Sequence, residues 1–255
     1  MGALLELVDV SLSFKGIRAL TDVSFAVEQG SICALIGPNG AGKSSLLNVI
    51  NGVYRADHGD IVFDRRRATV MHPLSAARAG IGRTFQHSAL FKNLSVLDNV
   101  LTGMSRHARS TFVENIFRVG RYSSEDRAFR RKSERILEFL ELSPFRDTVV
   151  GKLPYGIQKR VDLARALVGD PRLLLFDEPM AGMNHGEKAD MSRFILAANR
   201  ELKATVVLIE HDIGVVMGLS HHVVVLDHGR KVGDGTPDEV RRIPEVITAY
   251  LGPIH

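Results

Sequence analysis

Residues Gly37, Pro38, Asn39, Gly40, Ala41, Gly42, Lys43 and Ser44 run in the pattern GxxxxGK[ST]. Glycines in such a loop let the backbone turn its N–H groups inward around an anion. The pattern lies between the apolar run Ser31–Ile36 and a helical pattern from about Lys43 to Gly52, which is the setting a phosphate-binding loop needs. The helix would aim its positive end at the same anion. Lys43 is placed to reach the β- and γ-phosphates of a nucleotide, the Ser44 hydroxyl to ligate Mg²⁺, and Ser45 to bond a phosphate oxygen. This motif names a nucleotide and no one family, since kinases, GTPases and motor ATPases share it.

A second group of residues carries the complementary chemistry. Leu173-Leu-Leu-Phe-Asp177-Glu178 is an apolar strand pattern ending in two adjacent acids. Alone, such a pair is an ordinary solvated turn. Beside a phosphate loop, Asp177 is expected to hold Mg²⁺ through a water, and Glu178 to orient or deprotonate the attacking water.

The elements that must position these residues follow from periodicity. Leu4–Phe14 and Val23–Val27 read as strands broken at Lys15-Gly16, and Ile61–Phe63 as another. A short helix is expected at about Leu74–Ala79, leading to Gly82–Phe85. From about Ser95 to Val168 helical spacing dominates, with Ile136, Leu137, Leu140 and Leu142 on one face and Pro144 closing that helix. After Pro171 the strands return. Leu173–Phe176, Thr205–Ile209 and Val223–Leu226 are continuous apolar runs, as parallel strands covered on both faces should be. Helices are expected between them at about Gly186–Arg200 and Ile213–Gly218. The expected fold class is α/β, a nucleotide-binding core of residues 1–89 and 170–255 interrupted by a helical insert, 90–169.

Bulk composition excludes several classes. The chain has 255 residues and is 45% hydrophobic, enough for a sizeable core. No apolar run reaches the ~18–20 residues that cross a bilayer, and the acidic opening MGALLELVDV is not expected to be a signal peptide. The lone cysteine, Cys33, lies inside an apolar run and is expected to be a small buried hydrophobe. Net charge is +4, and between Arg106 and Arg135 nine Arg or Lys face four acids. That surplus reads as a solvated helical face, with anionic lipid head groups as the sharper alternative. It lacks the interleaved aromatics of a nucleic-acid site, so no nucleic-acid partner is expected.

Further residues narrow the reading. Gln86 follows Arg83-Thr-Phe, and His211 follows Val207-Leu-Ile-Glu. Leu153, Pro154, Tyr155, Gly156, Ile157 and Gln158 open a helix that ends in Ala164-Arg-Ala-Leu167. Ala181, Gly182, Met183 and Asn184 lie just past the two acids. The order and spacing of these segments resemble the ABC ATPases over essentially the whole chain: Walker A, Q-loop, signature, Walker B, D-loop and H-switch. The resemblance implies a P-loop cassette with a RecA-like core, an N-terminal antiparallel β subdomain and an inserted helical subdomain. It implies that Phe14 stacks on adenine, that Gln86 reaches Mg²⁺ and water and couples the site to the insert, and that His211 bonds the γ-phosphate. It also implies that the signature, 153–158, acts on ATP held by a second subunit, giving a dimer with two sandwiched ATPs.

Within that family Gly82-Arg-Thr-Phe-Gln86, the Tyr-Gly-x-Gln signature, the Ala-Gly-Met-Asn D-loop, Glu-His-Asp, and the ending Ala249-Tyr-Leu-Gly252 resemble the longer ATPase of branched-chain amino-acid importers. The partners so implied are a second, non-identical ATP-binding subunit, two integral membrane permeases and an extracytoplasmic solute-binding protein. The chain would then sit peripherally on the cytoplasmic face of the membrane. ATPases of lipopolysaccharide export share Gly235-Thr-Pro and Tyr-Leu-Gly and are the alternative; a soluble ABC ATPase of DNA repair or translation is a third reading. Four departures stand out. Pro154 occupies the usual Ser or Ala position, Tyr155 stands where the wider superfamily has Gly, Asn184 replaces the usual D-loop Asp, and Asp64-Arg-Arg-Arg67 replaces a glycine-containing hairpin turn.

Overall fold

The structure is a computed structural model that describes residues 2–68, 72–84, 89–107 and 121–246. Two sheets form its frame. The first strands are β1 (Ala3–Phe14) and β2 (Ile17–Glu28), followed by β3 (Ile32–Ile36), helix α1 (Lys43–Ile50), β4 (His58–Phe63) and β5 (Arg66–Ala68). Strands β2, β1, β4 and β5 make an antiparallel sheet in that spatial order. The expected Val23–Val27 is the inner part of β2. Its burial alternates only over Val23–Glu28; before that the register shifts and Asp22 takes φ of 49°, so the first half of the strand lacks the period-two pattern that marks one in sequence.

The second sheet is the one the chemistry rests on. It adds β6 (Ile81–Arg83), β7 (Leu173–Asp177), β8 (Thr205–Ile209), β9 (His222–Asp227) and β10 (Arg230–Gly235), in the order β10-β9-β3-β8-β7-β6. The pairs β9–β3, β3–β8, β8–β7 and β7–β6 are parallel, and β9–β10 closes as an antiparallel hairpin. Strands β3, β7 and β8 are buried along their entire length. In β3, Ile32, Ala34 and Ile36 enter one core cluster while Cys33 and Leu35 enter another. Alternation with period two thus sends successive side chains into two different cores, which is why the sequence shows an unbroken apolar run. Cys33 is fully buried, and burial pushes its thiol well above the ordinary range.

The insert supplies α3 (Val96–Thr102), α4 (Arg121–Phe139) and α5 (Tyr155–Leu167), after α2 (Pro73–Ala79). Leu137, Leu140, Val96, Val100, Leu163 and Leu167 share the core cluster that contains Phe176 of β7. Helix α6 (His185–Glu201) and α7 (Ile213–Leu219) follow as expected, and α8 (Pro237–Val240) and α9 (Pro244–Val246) end the described chain. Part of the basic excess lies on α4, where Arg130 pairs with Asp126 at 2.9 Å, Glu134 receives Arg146 at 2.7 Å, and Lys132 meets Asp170. Residues 108–120 of that stretch lie outside the described residues.

The turn that lacks glycine is built all the same. Asp64 and Arg65 take φ of 51° and 62°, the left-handed pair of a tight hairpin. Asp64 is bound by the Arg172 guanidinium, which also stands 5.9 Å from the Phe63 ring, so the strained turn is anchored to the start of β7.

Candidate functional site

The phosphate loop fills the gap between the C-terminal end of β3 and α1. Gly37 has φ of 149°, and a side chain there would collide with the Leu226 carbonyl of β9. Gly42, the residue before α1, has φ of 98°, and its Cβ would lie 2.6 Å from the Ala19 carbonyl. Both positions therefore demand glycine for conformation and for space. The loop backs onto its neighbours through Gly229, whose N–H donates to the Ala41 carbonyl at 3.1 Å.

Lys43 is 6% exposed, and its ammonium donates to the carbonyls of Gly37 at 2.7 Å and Pro38 at 2.9 Å. Burial lowers its affinity for the proton, against the pull of Glu178 and Asp177. The chain thus holds a cation folded under the loop, next to both acids. Ala19, the loop residues Asn39 to Ser45, and Glu178 line an open cleft of about 220 Å³. The loop and Glu178 face the same space.

Strand β7 delivers the acids. Asp177 is its last residue, 7% exposed, and its Oδ1 accepts from the Ser44 hydroxyl at 3.3 Å. Two hard oxygen donors thus converge at the base of the phosphate loop, a donor set that suits Mg²⁺. The other oxygen, Oδ2, receives the Arg83 guanidinium at 3.3 Å, and Arg83 also donates to Asn48 of α1 at 2.6 Å. The Arg83 side chain is 6% exposed and joins β6, α1 and β7 at Asp177. Desolvation lowers the Arg83 pKa, partly offset by Asp177.

Glu178 follows with φ of 50°, its N–H donating to the Ile209 carbonyl at 3.1 Å. That left-handed residue swings its side chain off the sheet toward the cleft. His211, two residues past β8, places Nε2 2.6 Å from Glu178 Oε1. The two candidates from different strands are therefore in direct contact. Glu210, between them, is 5% exposed and accepts the N–H groups of Met180 and His211.

The remaining expected residues fall into two groups. Phe14 sits at the tip of the β1–β2 hairpin, 41% exposed and packed edge-on against Tyr54 at 5.0 Å. It does not line the phosphate cleft, though Ala19 of the same hairpin does. The signature is also outside that cleft. Pro154 precedes α5 with φ of −55° and ψ of 152°, and Gln158 Nε2 returns to the Leu153 carbonyl at 2.8 Å. Gly156 backs onto Glu187, and the Tyr155 ring lies over Gly182. Signature and D-loop of one chain are thus in contact. Asn184 caps α6, accepting from Glu187 N–H at 3.0 Å while Glu187 accepts from its own N–H, so the amide oxygen does the capping that Asp would. Gln86 and the ending Ala249-Tyr-Leu-Gly252 lie outside the described residues.

Sequence reasoning assigned no role to Arg83, Asn48 or Glu210. Arg83 was visible as part of Gly82-Arg-Thr-Phe-Gln86 and Glu210 as the residue before His211, but neither spacing reveals a partner on another strand.

Comparison with known proteins identifies the family of the chain. A family model described as ABC transporter matches residues 20–181, and one described as branched-chain amino acid ATP-binding cassette transporter matches residues 230–252. The high-affinity branched-chain amino acid transport ATP-binding protein BraF of Pseudomonas aeruginosa is 36% identical over 98% of both chains. LivG of Escherichia coli is 31% identical over 98% of both. Among solved structures, the ADP conformation of MJ1267, an ATP-binding cassette of an ABC transporter, superposes with a TM-score of 0.85 at 30% identity, covering 99% of this chain and 100% of that one. A dimeric post-hydrolysis cassette, MJ0796 bound to ADP and Pi, gives 0.77 at 25% identity, covering 91% and 98%. The chain therefore belongs to the ATP-binding subunits of ABC transporters, in the group of the branched-chain amino acid transport ATP-binding proteins.

Proposed function

We propose that this chain hydrolyses ATP to power uptake of branched-chain amino acids, or of a related small amphipathic solute, through membrane subunits it does not contain. The observation that carries the catalytic part is the meeting of Lys43, Ser44, Asp177, Glu178 and His211 around one cleft. The solute class is supported by the relatives' names and by the match at residues 230–252. Among the described residues no helix is long and apolar enough to cross a membrane, so the path for the solute is expected in partner chains.

Each residue has a distinct role in this reading. The loop, Gly37 to Ser45, wraps the triphosphate with backbone N–H groups at the start of α1. Lys43 exchanges the Gly37 and Pro38 carbonyls for phosphate oxygens. Ser44 and Asp177 would hold Mg²⁺, with Gln86 as the third expected contact; when bound, the ion neutralises charge at the β- and γ-oxygens. Glu178 orients the attacking water, and His211 turns from Glu178 to the γ-phosphate when nucleotide arrives. Phe14 offers a ring to the base. The signature, Leu153 to Gln158, closes on ATP held by a second, non-identical subunit, with the D-loop, Ala181 to Asn184, beside it. Residues 1–89 and 170–255 form the nucleotide-binding part and 90–169 the part that meets the permeases, on the cytoplasmic face. An extracytoplasmic binding protein supplies the solute.

Reconstitution tests the reading. The complex with its membrane subunits should take up leucine, isoleucine or valine into vesicles only with ATP inside the compartment that holds this chain. Lys43→Ala should lower turnover about 10- to 100-fold or more, the scale of a lost contact to a charged phosphate. Uptake that persists in the Lys43→Ala complex would overturn the assignment.

A further inference from the structure

Two loops leave the sheet side by side at the cleft. One follows β7 and carries Glu178, Met180 and the D-loop; the other follows β8 and carries Glu210 and His211. Their last shared backbone bond runs from Glu178 N–H to the Ile209 carbonyl. Beyond it, Glu210 spans the gap. Its Oε1 accepts the Met180 N–H at 3.0 Å and its Oε2 accepts the His211 N–H at 3.2 Å. On the open side of the same gap, His211 Nε2 meets Glu178 Oε1 at 2.6 Å.

A carboxylate in a dry site is costly unless both oxygens find donors. Glu210 is 5% exposed, and among the described residues no salt bridge reaches it. Burial pushes its carboxyl above the ordinary range, and the Met180 and His211 amides pull it back. Its hydrogen-bonding capacity suits a bridge between two amides, because an ionised carboxylate only accepts and has one oxygen for each. The amide of glutamine has the same shape but turns an NH₂ toward one of the two N–H groups.

We propose that Glu210 is a positioning residue, whose carboxylate clamps the loop after β7 to the loop after β8 and so holds His211 in register with Glu178. The clamp also fixes Met180, whose buried side chain meets the Ser192 hydroxyl of α6, so the start of the D-loop is set by the same carboxylate. This inference rests on the roles proposed above for Glu178 and His211.

The test is Glu210→Gln in the assembled transporter, alone and combined with His211→Ala. Alone, it should lower kcat about 10- to 100-fold, the scale of a displaced catalytic group, with KM for ATP unchanged. In the His211→Ala background the further loss should shrink to less than about threefold, because a clamp has nothing left to align. Equal losses in the two backgrounds, or a single variant with wild-type kcat, would overturn the proposal. Should the variant fold poorly, hydrogen exchange on the unaltered full chain decides: the Met180 and His211 amides must both exchange slowly, and rapid exchange at either rejects the clamp. Glu178→Gln and His211→Ala variants with wild-type turnover would instead remove the roles on which it rests.

Discussion

Asp177 and Glu178 are adjacent in sequence yet the structure sends them to different surroundings. Asp177 ends its strand in a buried position between Ser44 and Arg83, while Glu178 leaves the sheet at φ of 50° to face the cleft and His211. Neutralising each should therefore have a different result. Glu178→Gln should retain nucleotide affinity and lose hydrolysis, leaving ATP bound in a persistent closed dimer. Asp177→Asn should weaken nucleotide binding in the presence of Mg²⁺ and change it little in EDTA. A fluorescent-nucleotide titration with and without metal separates the two, and equal behaviour would refute the division of labour. The acids were legible in sequence because a strand end followed by two carboxylates is a local pattern. Arg83 was not, since its meaning lies in Asn48 and Asp177, 35 and 94 positions away.

Helices and loops decide which residues of a motif are surface and which are scaffold. The segment Ala89-Leu-Phe91 reads as uniformly apolar beside Gln86, but Leu90 is 9% exposed within the core cluster and Phe91 is 56% exposed. Phe91→Asp should therefore uncouple solute uptake while sparing basal ATPase and Tm. Leu90→Asp places a charge in the core, and its Tm should fall. Uptake and thermal denaturation on both variants check this, and normal transport by Phe91→Asp would exclude Phe91 from the docking surface. Helix α6 gives a second case. Its Asn184–Glu187 capping box satisfies two backbone donors, so Asn184→Ala should cost about 0.5–2 kcal/mol and Asn184→Asp almost nothing. Denaturant titration measures both; an equal loss in the two would mean that Asn184 acts through something other than its cap.

The assembly is where Pro154 matters. Helix α5 begins at Tyr155 with no side-chain cap from Pro154, whose ring also removes its own N–H. The fold accepts this, because proline's fixed φ suits a helix start. Two donors that a serine would offer a phosphate are gone, each worth about 1.5–3 kcal/mol. The N–H groups of Tyr155, Gly156 and Ile157 remain. Pro154→Ser should accordingly raise turnover at the site of the second subunit in a heterodimer. Complexes with one subunit's catalytic glutamate disabled at a time locate the change. A Pro154→Ser complex with no gain at that site, or a fully active homodimer of this chain, would count against the reading.

Sequence alone determined the features that local rules control. The GxxxxGK[ST] loop and the unbroken apolar runs of β3, β7 and β8 follow from neighbours a few positions apart, so spacing suffices to read them. It also showed the sites where glycine was missing, although not that Asp64 and Arg65 would adopt the left-handed turn with Arg172 as anchor. What tertiary structure decided is everything carried by parallel strands. Neighbours in such a sheet come from distant parts of the chain, joined by crossovers, and no local pattern records which ends will lie together. Thus β3, β7 and β8 bring Ser44 to Asp177, Glu178 to His211, and Glu210 to Met180. Strand β10 is a local antiparallel hairpin partner of β9 and went unread for a different reason: its glycines look like loop until the fold places Gly233 against Val225, Val246 and Ile243, where a larger side chain has little room.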